Sequence, residues 1–232
     1  MWKAFATAAL LTLASWSASA ANFVAGVHYE VIADQPTATP EIREFFSFYC
    51  PHCYHFEPVL QKALGEVASG TPMVKNHVDF MSFAPASTQA AMTRAYVAAA
   101  KLGKGHEATN ALFNAIHQER KRPANADDVR AIVLSTGVDP KQFDDTLFSE
   151  EVNKTVDDMS FQQSFWSNKE LKPSNPMLSM MMQKQSQERQ PVLAGVPMLI
   201  INGKYRINLA ALDSTKIDQE LPEIINFLLK NP

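Results

Sequence analysis

The chain has only two cysteines, Cys50 and Cys53, among 232 residues. Two half-cystines cannot form the disulfide framework of a small secreted scaffold. A chain this long buries roughly 70% of its unfolded surface and needs no such framework. Glycine is scarce, at 8 residues, and no Gly-rich phosphate loop is present. There is no basic stripe, and the formal charge is −3, or −4 without Lys3, which argues against binding a phosphate backbone. After the first twenty residues no apolar run approaches the ~20 needed to cross a membrane. No internal repeat is evident. Together these absences exclude a nucleic-acid binder, a nucleotide-dependent enzyme of the P-loop type and a polytopic membrane protein.

The first twenty residues have the form of a secretory signal. Lys3 charges the start, Ala4 to Ala14 is a short apolar run, and "ASA", Ala18 to Ala20, offers small residues for cleavage. Removal after Ala20 places the rest in an exported, oxidising compartment, where disulfide chemistry is the ordinary use of cysteine.

Periodicity then gives the organisation. His28 to Ala33 alternates as a strand, and Ile42 to Tyr49, "IREFFSFY", is apolar enough for a buried central strand. From Cys50 the period becomes helical, with Phe56, Leu60, Ala63 and Leu64 on one face and Pro51 in the first turn. Met73 to Phe80 alternates again, completing a βαβ unit. Helices are expected over Ser87 to Leu102 and Glu107 to Arg120, then from Asn125 and from Pro140. Ser167 to Pro176 is polar with two prolines and reads as a loop. Met198 to Ile201 and Tyr205 to Asn208 form a hairpin through Asn202-Gly203, and Ile217 to Lys230 is a closing amphipathic helix. The order places the halves of one α/β domain around an inserted helical domain. The expected bounds are a signal over 1–20, the first α/β part over 21–84, the insert over 85–189 with an extended 149–190 segment, and the second α/β part over 190–232.

"CPHC", Cys50 to Cys53, therefore lies at a strand-to-helix junction. A zinc site needs four ligands and only two thiols are present. Covalent haem attachment needs a histidine after the second cysteine, where Tyr54 stands. A dithiol/disulfide redox pair suits the βαβ context best. Unpaired N–H groups at the helix start favour a Cys50 thiolate, by ~0.3–2 kcal/mol through the dipole. Direct N–H···S contacts and His52, as a cation and donor, supply the rest. A stabilised thiolate favours the reduced protein and makes its disulfide a good oxidant.

Signal, "EFFSFYCPHCYHFE", a helical insertion and "GVPMLIINGKY" resemble the DsbA family of bacterial periplasmic thiol oxidases. The resemblance implies a thioredoxin fold with an inserted all-helical domain. It implies an exposed nucleophile at Cys50, a buried partner at Cys53, tuning by Pro51 and His52, and a cis Pro197 whose neighbour Val196 pairs with substrate through its backbone. It also makes Glu44, Glu57 and Lys75 a buried charged cluster below the cysteines, a candidate to accept or relay the Cys53 proton and tune the potential, with an ordinary ion-pair group as the rival reading. Glu44 stands six residues before Cys50, on the same expected strand face, and Glu57 four after Cys53. No bound cofactor or metal is implied beyond the Cys50–Cys53 disulfide. The implied partners are unfolded exported proteins with free thiols and a DsbB-like membrane quinone reductase, with the protein itself a monomer. The expected activity is donation of the disulfide during oxidative folding. The rivals are a disulfide isomerase or reductase on the same scaffold and a chaperone-like binding protein.

Ser149 to Gln190 departs from compact family members in length. It carries Phe161, Phe165 and Trp166, and four methionines between Met177 and Met182. Extra core packing is the plainer reading, and an added substrate or partner surface is its rival.

Overall fold

The computed structural model describes residues 23–67, 70–82, 84–175, 177, 180 and 190–231. The expected signal, Met181 and Met182 lie outside the described residues.

Five strands form one sheet in the order β1-β5-β4-β2-β3: β1 Tyr29–Val31, β2 Ile42–Phe46, β3 Met73–His77, β4 Met198–Ile201 and β5 Tyr205–Ile207. The β2–β3 pair is parallel, with Glu44 opposite Lys75, and β4 runs antiparallel to β2. All five β2 residues are buried, as a central strand covered on both faces requires.

Helix α1, Pro51–Leu64, crosses from β2 to β3. With α7, Ile217–Lys230, it covers one sheet face through Ile42, Leu60, Leu199, Leu221 and Ile224. The insert comprises α2 Ala86–Lys101, α3 Gly105–His117, α4 Ala126–Leu134, α5 Pro140–Leu147 and α6 Glu150–Asn168. Their starts are written in the sequence. Asn125, Asp139 and Ser149 each accept a backbone N–H from the first turn, and Pro140 occupies a position whose N–H needs no partner. The core of the insert is continuous with the cysteines, since Phe46, Phe48 and Cys53 pack in one cluster with Met92, Leu112, Phe113 and Phe143.

The thioredoxin architecture with a helical insertion is as expected, and several boundaries are not. Strand β2 ends at Phe46 rather than Tyr49. The Cys50 N–H bonds Ser47 O at 3.0 Å, folding residues 47–50 into a turn, so Cys50 does not lie on the strand. Strand β3 likewise stops at His77, short of Phe80. The buried stripe of α1 is Cys53, Glu57, Leu60 and Ala63, rotated from the predicted face, with Phe56 and Leu64 half-buried. Ser149 caps the long segment's first nineteen-residue stretch, Glu150–Asn168, which is helix α6, a length the sequence reading did not resolve. Its Trp166 is buried against Phe45 and Ile200, whereas Phe161 and Phe165 remain 63% and 43% exposed.

The β4–β5 turn depends on glycine. Asn202 and Gly203 have φ of 53° and 61°, and a Cβ on Gly203 would lie 2.6 Å from Thr37 Cγ2. Gly203→Ala is expected to cost about 1–3 kcal/mol, seen as a lower urea midpoint with an unchanged slope.

Candidate functional site

Cys50 is the N-cap of α1, and its Sγ accepts the Cys53 N–H at 3.3 Å. Its thiol also donates to Val196 O at 3.4 Å, across the space between helix start and sheet. The Val196–Pro197 peptide bond is cis, immediately before β4. The turn at 47–50 and the residues before β4 therefore bring sulfur and carbonyl together from 146 residues apart. Both cysteines carry free thiols. The expectation of an exposed Cys50 is corrected. The residue is only 4% exposed, held back by the 47–50 turn and by Val196, while Cys53 is fully buried and Pro51 and His52 face solvent.

The two thiols are driven apart. Cys50 is lowered to about 6, first by the hydrogen bond it shares with Cys53, then by the Cys53 and His52 N–H groups and the His52 charge, against burial. Burial pushes the Cys53 thiol far up, reinforced by its bond to Cys50 and by the Cys50 and Glu44 charges. One sulfur is a thiolate near neutrality and the other holds its proton.

Below them, Lys75 Nζ lies 2.6 Å from Glu44 Oε2 and 2.5 Å from Glu57 Oε2, and 4.5 Å from the centre of the Phe46 ring. Gln61 Nε2 donates to the other Glu57 oxygen at 3.0 Å. Glu44 and Glu57 are buried, and the Lys75 side chain is 9% exposed. The strand-face argument for Glu44 does not hold, because Cys50 is outside the strand. Parallel register brings Glu44 to Lys75, and the helical repeat of α1 brings Glu57. Burial raises Glu44 to about 7, with Lys75 opposing and Glu57 and Cys50 reinforcing. Its Oε1 has no hydrogen-bond partner among the described residues. A buried unpaired oxygen is cheaper neutral than charged, in keeping with a carboxyl that keeps its proton near neutral pH. Lys75 is disfavoured as a cation by burial, but the two carboxylates outweigh this and hold it protonated.

Sequence reasoning missed the residues that fix the active-site turn from the insert. His117 Nε2 lies 2.9 Å from Phe48 O, and its ring stacks on Tyr54 at 5.0 Å. Tyr49 Oη donates to Pro123 O at 3.3 Å. His77 stacks on Phe48 at 4.8 Å, and burial lowers it to about 3, so it is neutral. A lone histidine or tyrosine in sequence carries no sign of such a partner.

No group of three or more His, Cys, Asp or Glu suited to a metal occurs among the described residues, and no described helix is long and apolar enough to cross a membrane.

Residues 41–163 match the family described as DSBA-like thioredoxin domain. The thiol:disulfide interchange protein DsbA of Pectobacterium carotovorum is 31% identical, over 93% of this chain and 92% of its own length. The DsbA of Salmonella typhimurium is 30% identical over 99% and 97%. Among solved structures, the disulfide oxidoreductase DsbA from Proteus mirabilis superposes with a TM-score of 0.68 at 26% identity, over 90% of this chain and 98% of that one.

Proposed function

Because the chain belongs to the DsbA-like family of thiol:disulfide oxidoreductases, we propose that its Cys50–Cys53 disulfide is donated to exported proteins as they fold, with the following division of labour. A client thiolate attacks Cys50 Sγ, the Cys50–Cys53 bond breaks, and Cys53 leaves. Its high proton affinity requires a proton at that moment, and Glu44, with a pKa of about 7, is the donor beneath it. Lys75 and Glu57 hold Glu44 in place and restore its proton. Val196, whose carbonyl already faces Cys50, offers backbone pairing to the client beside Pro197. Pro51 starts the helix and His52 adds positive charge. A second client thiolate then attacks the client sulfur of the mixed disulfide and expels Cys50 as a stable thiolate. The client loses two electrons and the protein becomes the dithiol.

The observation that carries this reading is the Cys53 N–H on Cys50 Sγ at a helix start, with Cys50 lowered to about 6. It makes the reduced state the favoured one and the disulfide easy to give away.

The same reading places the protein in the periplasm after cleavage behind Ala20, acting as a monomer and reoxidised by a DsbB-like quinone reductase. It assigns 21–84 and 190–232 to the thioredoxin-like domain and 85–189 to the insert.

The test is transfer to a reduced, unfolded client. Oxidised protein is expected to yield one client disulfide per molecule within seconds at pH 7. Cys53→Ser, loaded through Cys50 with a client that has a single cysteine, is expected to retain the mixed disulfide, since neither Cys53 nor a second client thiol remains to resolve it. Reduction of client disulfides by the dithiol form, without transfer in the other direction, points instead to a reductase. Client protection by a Cys50→Ser, Cys53→Ser protein points to a chaperone.

A further inference from the structure

The run Arg120-Lys121-Arg122 is too short to mark a basic stripe in the sequence, but folding docks the turn that carries it on Tyr49, the neighbour of Cys50. It forms the turn after α3. The Lys121 N–H bonds Ala115 O at 2.8 Å, and Arg120 takes a left-handed φ of 55°. The turn is pinned twice more. Tyr49 Oη reaches Pro123 O at 3.3 Å, and Thr88 Oγ1 reaches Ala124 O at 2.9 Å. Tyr49 adjoins Cys50, so one side chain links the turn to the residue next to the reactive cysteine. The Arg122 charge eases ionisation of the Tyr49 phenol against the burial that raises it.

The charges on this turn are unequal in what they are free to do. Lys121 pairs with Glu119 at 2.6 Å, and Asp128 accepts the Ala124 N–H at 2.8 Å at the start of α4. Arg120 and Arg122 are exposed and form no ion pair among the described residues. Arg122 borders a cleft of about 660 Å³, whose walls include Lys121, Pro123 and Ile132. Glu119, Asp127 and Asp128 balance the three bases in charge, so what distinguishes the turn is two exposed guanidinium groups without an ion pair among the described residues.

We propose that Arg120 and Arg122 form a client-selecting rim, which favours cysteines flanked within a few residues by aspartate or glutamate. An extended client gains ~3.3–3.6 Å per residue, so a carboxylate three to five positions from the reacting cysteine reaches roughly 10–18 Å from Cys50, on a scale with the path past Tyr49 to the turn. Guanidinium is the cation best matched to carboxylate, by two parallel hydrogen bonds. The inference rests on the disulfide-donor reading above.

The test uses two unstructured peptides, each with a cysteine pair, identical except for two glutamates or two lysines three and five residues from the first cysteine. Their oxidation by oxidised protein is followed by quenched-flow mass spectrometry at 20 mM and 500 mM salt. The acidic peptide is expected to react roughly ten-fold faster at low salt, with the ratio falling towards one at high salt. Arg120→Asn with Arg122→Glu is expected to reverse the preference without changing the equilibrium with glutathione; asparagine keeps the left-handed turn. Equal rates at low salt, or a preference that survives the double substitution, overturns the proposal. Failure to oxidise either peptide overturns the disulfide-donor reading instead, so the two failures are distinct.

Discussion

Between pH 6 and pH 9 the reduced protein is expected to gain about 2 kcal/mol or more in stability over the oxidised protein. Only the reduced form has a Cys50 thiolate. Its folded pKa of about 6 lies below the ordinary value of 9.0, so the folded state binds the proton less tightly than the unfolded chain does. A depressed acid of this kind contributes its full stability above the unfolded value and loses it as pH falls through the folded value. Three pH units correspond to at most ~4 kcal/mol, of which the reduced protein is expected to realise roughly 2–3. Cys53 does not blur the window. Its pKa is raised, so its contribution is constant below the unfolded value and falls only above pH 9. The bridge itself opposes the effect by a nearly pH-independent amount, roughly 2 kcal/mol for so small a loop. Urea midpoints of the two redox forms are therefore expected to converge and cross within the window as pH rises. Parallel curves would show that the Cys50 thiolate is not stabilised by the fold, and the donor reading would lose its thermodynamic basis.

How much of this was legible in sequence depended on whether the determinant was local. The helix starts at Asn125 and Pro140 are set by one side chain and the next turn, and three of the strands were found within about two residues at either end, whereas the Ser149 start, capped in the same way, was not read. The redox pair was legible for the same reason, since Cys50 acts as the cap of its own helix. The end of β2 was not. Phe48 and Tyr49 are as apolar and β-prone as Phe45 and Phe46, and only a turn closed through Ser47 distinguishes them. The charged cluster was found for an incorrect reason. Glu44 reaches Lys75 through β2–β3 register, which periodicity does not give. The contacts of His117, Tyr49 and Arg122 depend on how the insert docks on the active-site turn, 69 residues apart for His117 and Phe48. Single-sequence reasoning has no measure of that distance. The aromatic residues of α6 divide between its two readings, with Trp166 packing into the core and Phe161 and Phe165 left at the surface.

The largest loss from a single substitution outside the cysteines is expected for Lys75→Met, at about 3–5 kcal/mol of unfolding free energy at pH 8. The methyl-thioether stem fills the aliphatic volume of the lysine, so packing changes little. What remains is Glu44 and Glu57, both buried, with the cation 2.5–2.6 Å from each removed. Glu44 is already raised to about 7 with Lys75 beside it, and without Lys75 it rises further. A raised acid contributes its stability below the unfolded value, here 4.5, and loses it as pH rises through the folded value. The variant is therefore expected to lie close to the wild type at pH 4.5 and to fall progressively behind towards pH 8. Adding Glu44→Gln and Glu57→Gln removes both orphaned charges and is expected to recover most of the loss, as neutral replacement of a whole buried ion cluster generally does. The triple variant separates stability from chemistry. It restores the fold but leaves Cys53 without a proton donor, so client oxidation should remain slow while the unfolding midpoint recovers. A penalty independent of pH would assign Lys75 to packing. Full recovery of the oxidation rate in the triple variant would remove Glu44 from the proton path.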